Sequence, residues 1–322
     1  MQAHSFSATV YFPTRTRTTD SDKKITLITG DGFSIEGSTD IDKNGSYIVI
    51  APGNHELTVR YWLHYKTYSE DIKGTITKTF KLNCEAGKIY DIKAKLDPTD
   101  YTRKKYYMWD CAVGQDYWKG YENYQPKTKY LPAGQYYPAS VKDPRWYNEQ
   151  AFPKPANRSC KDCPNVNETW WYVKYGDPHW DSEELWVMYE HFYTGGMWFK
   201  KKDYISGFNS GYAPDTGNKD YTKKAESAYY DNTNVPFGRP DDIEKYFYLP
   251  ALGEYDNGRF YSIGEVGYYW TCTPTPLNGS SGVATRGAYN LYFHLSNDGK
   301  KCTASLYGGE NRYKGYTWWQ VE

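Results

Sequence analysis

Cysteines are the first residues whose spacing could do chemistry. Cys160 and Cys163 stand in C-x-x-C spacing, which serves half a zinc site or a redox pair. A structural zinc needs a second ligand pair, and no further C-x-x-C or His-x-x-x-His follows at usable spacing. A thioredoxin-type dithiol belongs in a β-α-β context, whereas this neighbourhood is aromatic and helical in pattern. The pair therefore reads as a small disulfide or two unrelated thiols. Cys84, Cys111, Cys272 and Cys302 bring the count to an even six, as disulfides in an exported chain would require. Cys272 and Cys302, on two expected strands, read as a cross-strand disulfide or two buried thiols.

Other constellations are thin. Asp215, Asp241-Asp242 and Asp256-Asn257 are the nearest acidic loop clusters, while calcium asks for roughly six to eight oxygens. The histidines His4, His55, His64, His179, His191 and His294 have no partner at a catalytic spacing. There is no Gly-x-Ser-x-Gly elbow, P-loop or His-Glu-x-x-His. Glu183 and Glu184 read as first-turn helix acids, not as a glycosidase pair. The chain reads as a non-enzyme with no cofactor and no metal site.

Binding chemistry is better represented. The 278–286 and 307–316 stretches mix Tyr, Asn, Ser, Arg and Gly, the residues of adaptable binding loops. A sugar is held by an aromatic ring against its apolar face and by planar polar side chains at its rim. Tyr307, Glu310, Asn311, Arg312, Tyr313 and Tyr316 offer both, joined by Tyr292 and His294 from the preceding strand. Along that strand Tyr289, Leu291 and Phe293 share one face and should be buried. Tyr292 and His294 should then face out.

Composition agrees with a binding role. The 322 residues carry 39 basic and 39 acidic side chains, a neutral balance that argues against a nucleic-acid or anionic-membrane partner. Aromatic residues make up 19% of the chain, and 36 of them are Tyr, a side chain that offers a large face with a hydrogen-bonding tip. No run approaches the ~20 apolar residues of a membrane helix. The 1–12 stretch shows no basic region followed by an apolar run, so no signal peptide is read there.

These residues must be carried by two domains. Period-two segments at 6–12, 24–28, 46–50, 55–61, 75–82 and 88–96 predict a small β-sandwich over 1–98. Residues 99–160 show no clean period, and 109–118 is aromatic enough to belong to a second domain over 105–322. There Asn165 with Glu168 forms a capping box for a helix ending at Gly176. Asp181 with Glu184 repeats the box ahead of a helix over 182–193, whose Leu185, Met188, Tyr189 and Phe192 make a one-sided stripe. Strands follow at 197–200 and through the terminal quarter, separated by a long loop over 203–240. The expected fold class is α+β: a sandwich, then a domain of two helices and a short antiparallel sheet.

The ending FYLPALGEYDNGRFYSIGEVGYYWTCTPTP, then RGAYNLYFHL, then GENRYKGYTWWQVE resembles the C-terminal half of C-type-lectin-like, formylglycine-generating-enzyme-like domains. Such domains occur in surface and pilus-tip proteins of gut Gram-negative anaerobes. The GDPHWDSEELW…YTGGMWFKK string is similar to the pilus-tip subgroup, so the resemblance covers about 105–322. The cadence APGNHELTVRY…TFKL…AGKIYDIKAKL resembles transthyretin-, PEGA- or fimbrillin-like sandwiches of the bacterial envelope. The resemblance implies a cell-surface or extracellular adhesin with a lectin-like face for a glycan or protein ligand on another cell. Its sandwich would meet pilus or envelope subunits. Two alternatives share the fold: a receptor diversified by a retroelement, and a formylglycine-generating-type oxidase or other carbohydrate-related enzyme. The oxidase family works through a cysteine pair and copper, but the arginine-rich neighbours of its cysteines are missing here. The Glu-Pro-Asn and Trp-Asn-Asp calcium signatures of lectins are missing as well.

Overall fold

Alternation of β-branched and polar residues gives strands at each of the expected period-two segments, as far as those segments are described. In the computed structural model the described residues are 8–12, 24–28, 46–66, 71–91, 98–121, 138, 140–189, 191–256, 258–276 and 287–319. Gly53–Lys66 pairs antiparallel with Asp71–Cys84 along its whole length, from Gly53 opposite Cys84 to Lys66 opposite Asp71, and Lys24–Ile28 adds on its other edge. Ala8–Phe12 pairs antiparallel with Ser46–Ile50 and parallel with Ile89–Asp91. The strands flanking Pro52-Gly53 thus enter different sheets and do not pair as a hairpin.

Contacts divide the chain into two units, 1–100 with 183–193, and 101–182 with 194–322. The segment 183–193 corrects the expected fold class. The second helix is absent: Trp186–Met188 and His191–Tyr193 form an antiparallel hairpin, and Trp186–Met188 also pairs with Thr99–Asp100. The turn passes through Tyr189 at φ +49°, a left-handed conformation no helix contains. A stripe at i, i+3, i+4, i+7 over so short a run is compatible with either element. Tertiary contacts decide it. Trp186 stacks on Tyr193 across the hairpin, with ring centroids 5.1 Å apart, and the Leu185 N–H donates to the Thr75 carbonyl at 2.7 Å. Asp181, expected as a cap, instead ends the strand His179–Asp181 and accepts the Trp198 indole N–H at 3.0 Å.

The remaining helix, Val166–Tyr175, is the only α-helix among the described residues, so the second unit is a β-rich domain with one helix. Its capping box is complete, with the Glu168 N–H donating to Asn165 Oδ1 at 3.0 Å and the Asn165 N–H donating to the Glu168 carboxylate at 2.7 Å. Gly176 ends it at φ −75°, so conformational freedom is not what selects glycine there. A Cβ would stand 2.3 Å from the Tyr172 carbonyl oxygen, so close approach selects it.

The helix covers one face of a six-stranded sheet, ordered Tyr230–Asn232, Cys302–Asn311, Gly287–Leu295, Val266–Pro274, Tyr316–Trp318, Tyr106–Tyr107. Val166 and Trp170 pack with Tyr221, Tyr289 and Leu306. Tyr289, Leu291 and Phe293 are all fully buried, as their alternation predicts. Burying aromatic side chains of this size contributes on the order of 2–3 kcal/mol each. Part of the opposite sheet face is covered by Trp109, Ala156, Cys160 and Cys163, which pack on Trp270, Ala288 and Tyr316. A three-stranded sheet (Tyr246–Pro250, Gly196–Lys200, His179–Asp181) and the hairpin Glu254–Asp256 with Arg259–Tyr261 complete the unit. No helix among the described residues is long and apolar enough to cross a membrane.

Candidate binding face

Strand register assembles the site. On the face away from the helix, Tyr268 is opposite Tyr292 and Val266 opposite His294, while Tyr292 is opposite Ser305 and Asn290 opposite Tyr307. Asp231 is opposite Ser305 on the edge strand. The rings form a ladder: Trp270 on Tyr316 at 4.3 Å, Tyr316 on Tyr268 at 4.7 Å, Tyr268 on Tyr292 at 5.0 Å, Tyr292 on His294 at 5.0 Å. The ladder begins buried at Trp270 and ends half-buried at Tyr292 and His294. Beside it Tyr307 and Tyr229, 41% and 55% exposed, meet edge to face at 6.3 Å, and the Tyr229 hydroxyl donates to Asp231.

Charge sits on one flank. Lys314 Nζ lies 3.1 Å from Glu254 and 3.2 Å from Glu310. Burial alone would lower the Lys314 pKa, but Glu310 and Glu254 more than offset it and hold the ammonium charged. Burial pushes the Glu254 carboxyl up against the pull of Lys314. Burial also raises the Tyr268 and Tyr292 phenols, so both are O–H groups at neutral pH. It lowers the His294 pKa despite Asp231, leaving a neutral imidazole whose Nδ1 has no protein partner. Asn290, fully buried beneath the ladder, has neither Oδ1 nor Nδ2 bonded. Buried polar groups without a protein partner are where ordered water or a ligand hydroxyl supplies the missing bond.

Of the sequence-predicted site residues, Tyr292, His294, Tyr307 and Glu310 come together here. Asn311 and Tyr313 lie farther along the turn and bond to each other, Nδ2 donating to the phenol oxygen at 3.2 Å. Arg312 and Tyr316 are placed in the interior. Arg312 is 2% exposed, stacks 4.2 Å over Trp109 and donates to the carbonyls of Gly287, Asn148 and Gln150 at 2.7–2.9 Å. Tyr316 is fully buried between Trp270 and Tyr268. The 278–286 loop lies outside the described residues. Tyr229, Asp231, Tyr268, Glu254, Lys314 and Asn290 were not singled out from sequence. Period two already puts Tyr268 with Trp270, and Tyr229 with Asp231, which was the available signal.

Among the described residues no group of three or more His, Cys, Asp or Glu is placed to hold a metal ion. All six cysteines are free thiols, and Cys272 and Cys302 lie on strands separated by Gly287–Leu295, so they form no cross-strand pair. The arrangement offers ring faces, phenol donors, carboxylate acceptors and one ammonium on a shallow surface. No family model matches this chain, and no curated protein and no solved structure is similar to it.

Proposed function

We propose that this chain is a non-catalytic surface-binding protein whose second unit holds a glycan on the open sheet face. The observation that carries the reading is the exposed Tyr229–Tyr307 pair, set at 75° beside Asp231 and the half-buried end of the ring ladder. A pyranose presents C–H groups on one face and hydroxyls at its rim. Ring faces take the first, and Asp231, Glu310 and Lys314 take the second through charge-assisted hydrogen bonds. Rigid two-torsion side chains lose little entropy on binding, which suits a shallow site. The reading of the terminal sequence as lectin-like accords with this, with the first unit as the attachment to envelope or pilus subunits.

A glycan and protein array probed with the full chain tests this. Carbohydrate hits that disappear in Tyr307→Ala and Tyr229→Ala support it. Binding confined to protein spots, or glycan binding indifferent to both substitutions, overturns it.

A further inference from the structure

Four thiols of the second unit lie around one turn. The Cys163 N–H donates to the Cys160 carbonyl at 3.1 Å, which folds the C-x-x-C segment back on itself, and both side chains pack in one buried cluster. Cys160 is further fixed by the Asp110 N–H, which donates to its sulfur at 3.2 Å. Cys272 packs against the same cluster, and Ser159 Oγ lies 3.7 Å from Cys111 and 3.8 Å from Cys160. The two members of the pair differ in access. Cys160 is fully buried, whereas Cys163 is 6% exposed and lines a cavity of about 220 Å³ together with Tyr107, Arg158, Lys161, Asp162 and Trp318. The Lys104 ammonium stands 5.3 Å from the Trp318 ring, adding a third cation beside that cavity.

We propose that Cys160 and Cys163 are a disulfide-forming pair, oxidised by a small anionic disulfide that enters this cavity and meets Cys163 first. The Cys163 thiolate attacks one sulfur of R–S–S–R, forming Cys163–S–S–R and releasing R–S⁻. The Cys160 thiolate then attacks the Cys163 sulfur, closes the intramolecular bond and displaces the second R–S⁻. Two electrons and two protons pass from the protein dithiol to the disulfide, which leaves as two thiols. Asp162 lies 3.9 Å from Lys161, and Asp116 is paired with Lys105 at 3.0 Å. Arg158, Lys161 and Lys104 outweigh these two carboxylates and so favour an acidic oxidant. Burial pushes the Cys163 thiol well above its ordinary value, so exchange is slow at neutral pH and accelerates in alkali. That suits a bond made once rather than a turnover catalyst.

The test incubates the folded, reduced full chain with oxidised glutathione, hydroxyethyl disulfide or cystamine, then blocks, digests and maps every cysteine by mass. The expected result is a Cys160–Cys163 peptide lighter by two hydrogens, formed fastest with glutathione disulfide and slowest with cystamine. Cys160→Ser should trap glutathione on Cys163, and Cys163→Ser should leave Cys160 a thiol. A Cys160–Cys111 or Cys160–Cys272 bond in the unsubstituted chain overturns the pairing. So does a chain that keeps both thiols free after prolonged alkaline incubation. An order of rates indifferent to oxidant charge overturns the cavity route.

Discussion

The Asp110 carboxylate accepts the Asn148 side-chain amide at 2.6 Å inside the protein, at full burial of both side chains. The same carboxylate accepts the backbone N–H groups of Asn157, Arg158 and Cys160 at 2.7–3.2 Å. A segment with no secondary structure is thereby pinned to the sheet, since Trp109 next to Asp110 donates its indole N–H to the Thr271 carbonyl at 2.9 Å. Asp110→Ala removes the acceptor of two buried donors, the Asn148 amide and the Cys160 N–H, and of the part-buried Asn157 and Arg158 N–H groups. Each buried donor costs about 1–3 kcal/mol when nothing relaxes. Urea unfolding should show a loss of at least ~3 kcal/mol. Asp110→Asn should lose less, because its amide keeps one acceptor and tolerates the φ of +50° found there.

Local signals and distant ones fared differently in the sequence. The capping box of Asn165 and Glu168 is legible because both partners lie within one turn. Tyr289, Leu291 and Phe293 are legible because alternation alone assigns their face. Arg312 and Tyr316 read as binding residues from type and spacing. They are interior because Trp109 and residues 148–163 fold over them, and those stretches have no period to announce it. The hairpin over 183–193 failed for a related reason: Thr99 and Thr75, far away in the chain, supply its hydrogen-bonding partners. Tyr229 and Asp231 were hidden by a loop-like composition around a strand of only three residues.

Gly267 should tolerate no side chain. It pairs with Phe293, whose ring lies across it, and an added Cβ would stand 2.1 Å from that ring. Phe293 is fully buried and packs against Tyr269, Phe199 and Trp180, so it has nowhere to move. Gly267→Ala should lower stability by about 1–3 kcal/mol, the usual range for overpacking. Unfolding indistinguishable from the unsubstituted chain would show that the ring does not cover the glycine.

Acid should destabilise the second unit in two stages. Burial lowers the His294 pKa below its ordinary 6.5, so the unfolded chain takes up a proton that the native one resists. Stability therefore falls as pH drops through about 6.5 and levels off below the native value. Desolvation would raise Asp220, but hydrogen bonds from Lys223, Thr222 and Asn167 hold it down to about 2. Its contribution is complete above its ordinary 3.8 and lost between there and about 2. Thermal melts across this range should show both slopes. Asp220→Asn should flatten the lower one, and His294→Phe the upper.

Asn290 should separate stability from binding. Its amide is desolvated without a protein partner, so Asn290→Leu, of similar volume, removes a buried polar cost of about 1–3 kcal/mol. The expected variant unfolds at equal or higher temperature. If water or a ligand hydroxyl completes that amide in the bound state, the same variant binds more weakly on the array. A loss of stability instead would mean that the amide already has a bonded water holding the face together.

The last expectation divides the terminal turn into two kinds of residue. Tyr307 and Tyr229 contribute exposed ring surface and little core volume. Replacing either with alanine should leave the melting temperature within the small change usual for surface substitutions, about 0.5 kcal/mol. Ligand attachment should nevertheless be lost, because a stacked aromatic anchor commonly contributes 2 kcal/mol or more, roughly thirtyfold in affinity. Arg312→Ala behaves in the opposite way. It strands three backbone carbonyls and opens space beside Trp109, so it should unfold the domain by about 3 kcal/mol or more. Any loss of binding then follows the folded fraction. Circular dichroism melts beside array binding for the three variants distinguish the cases. Should Arg312→Ala melt normally while losing attachment, the guanidinium would be a ligand contact after all, and the cover of Trp109 with residues 148–150 would have to open to expose it.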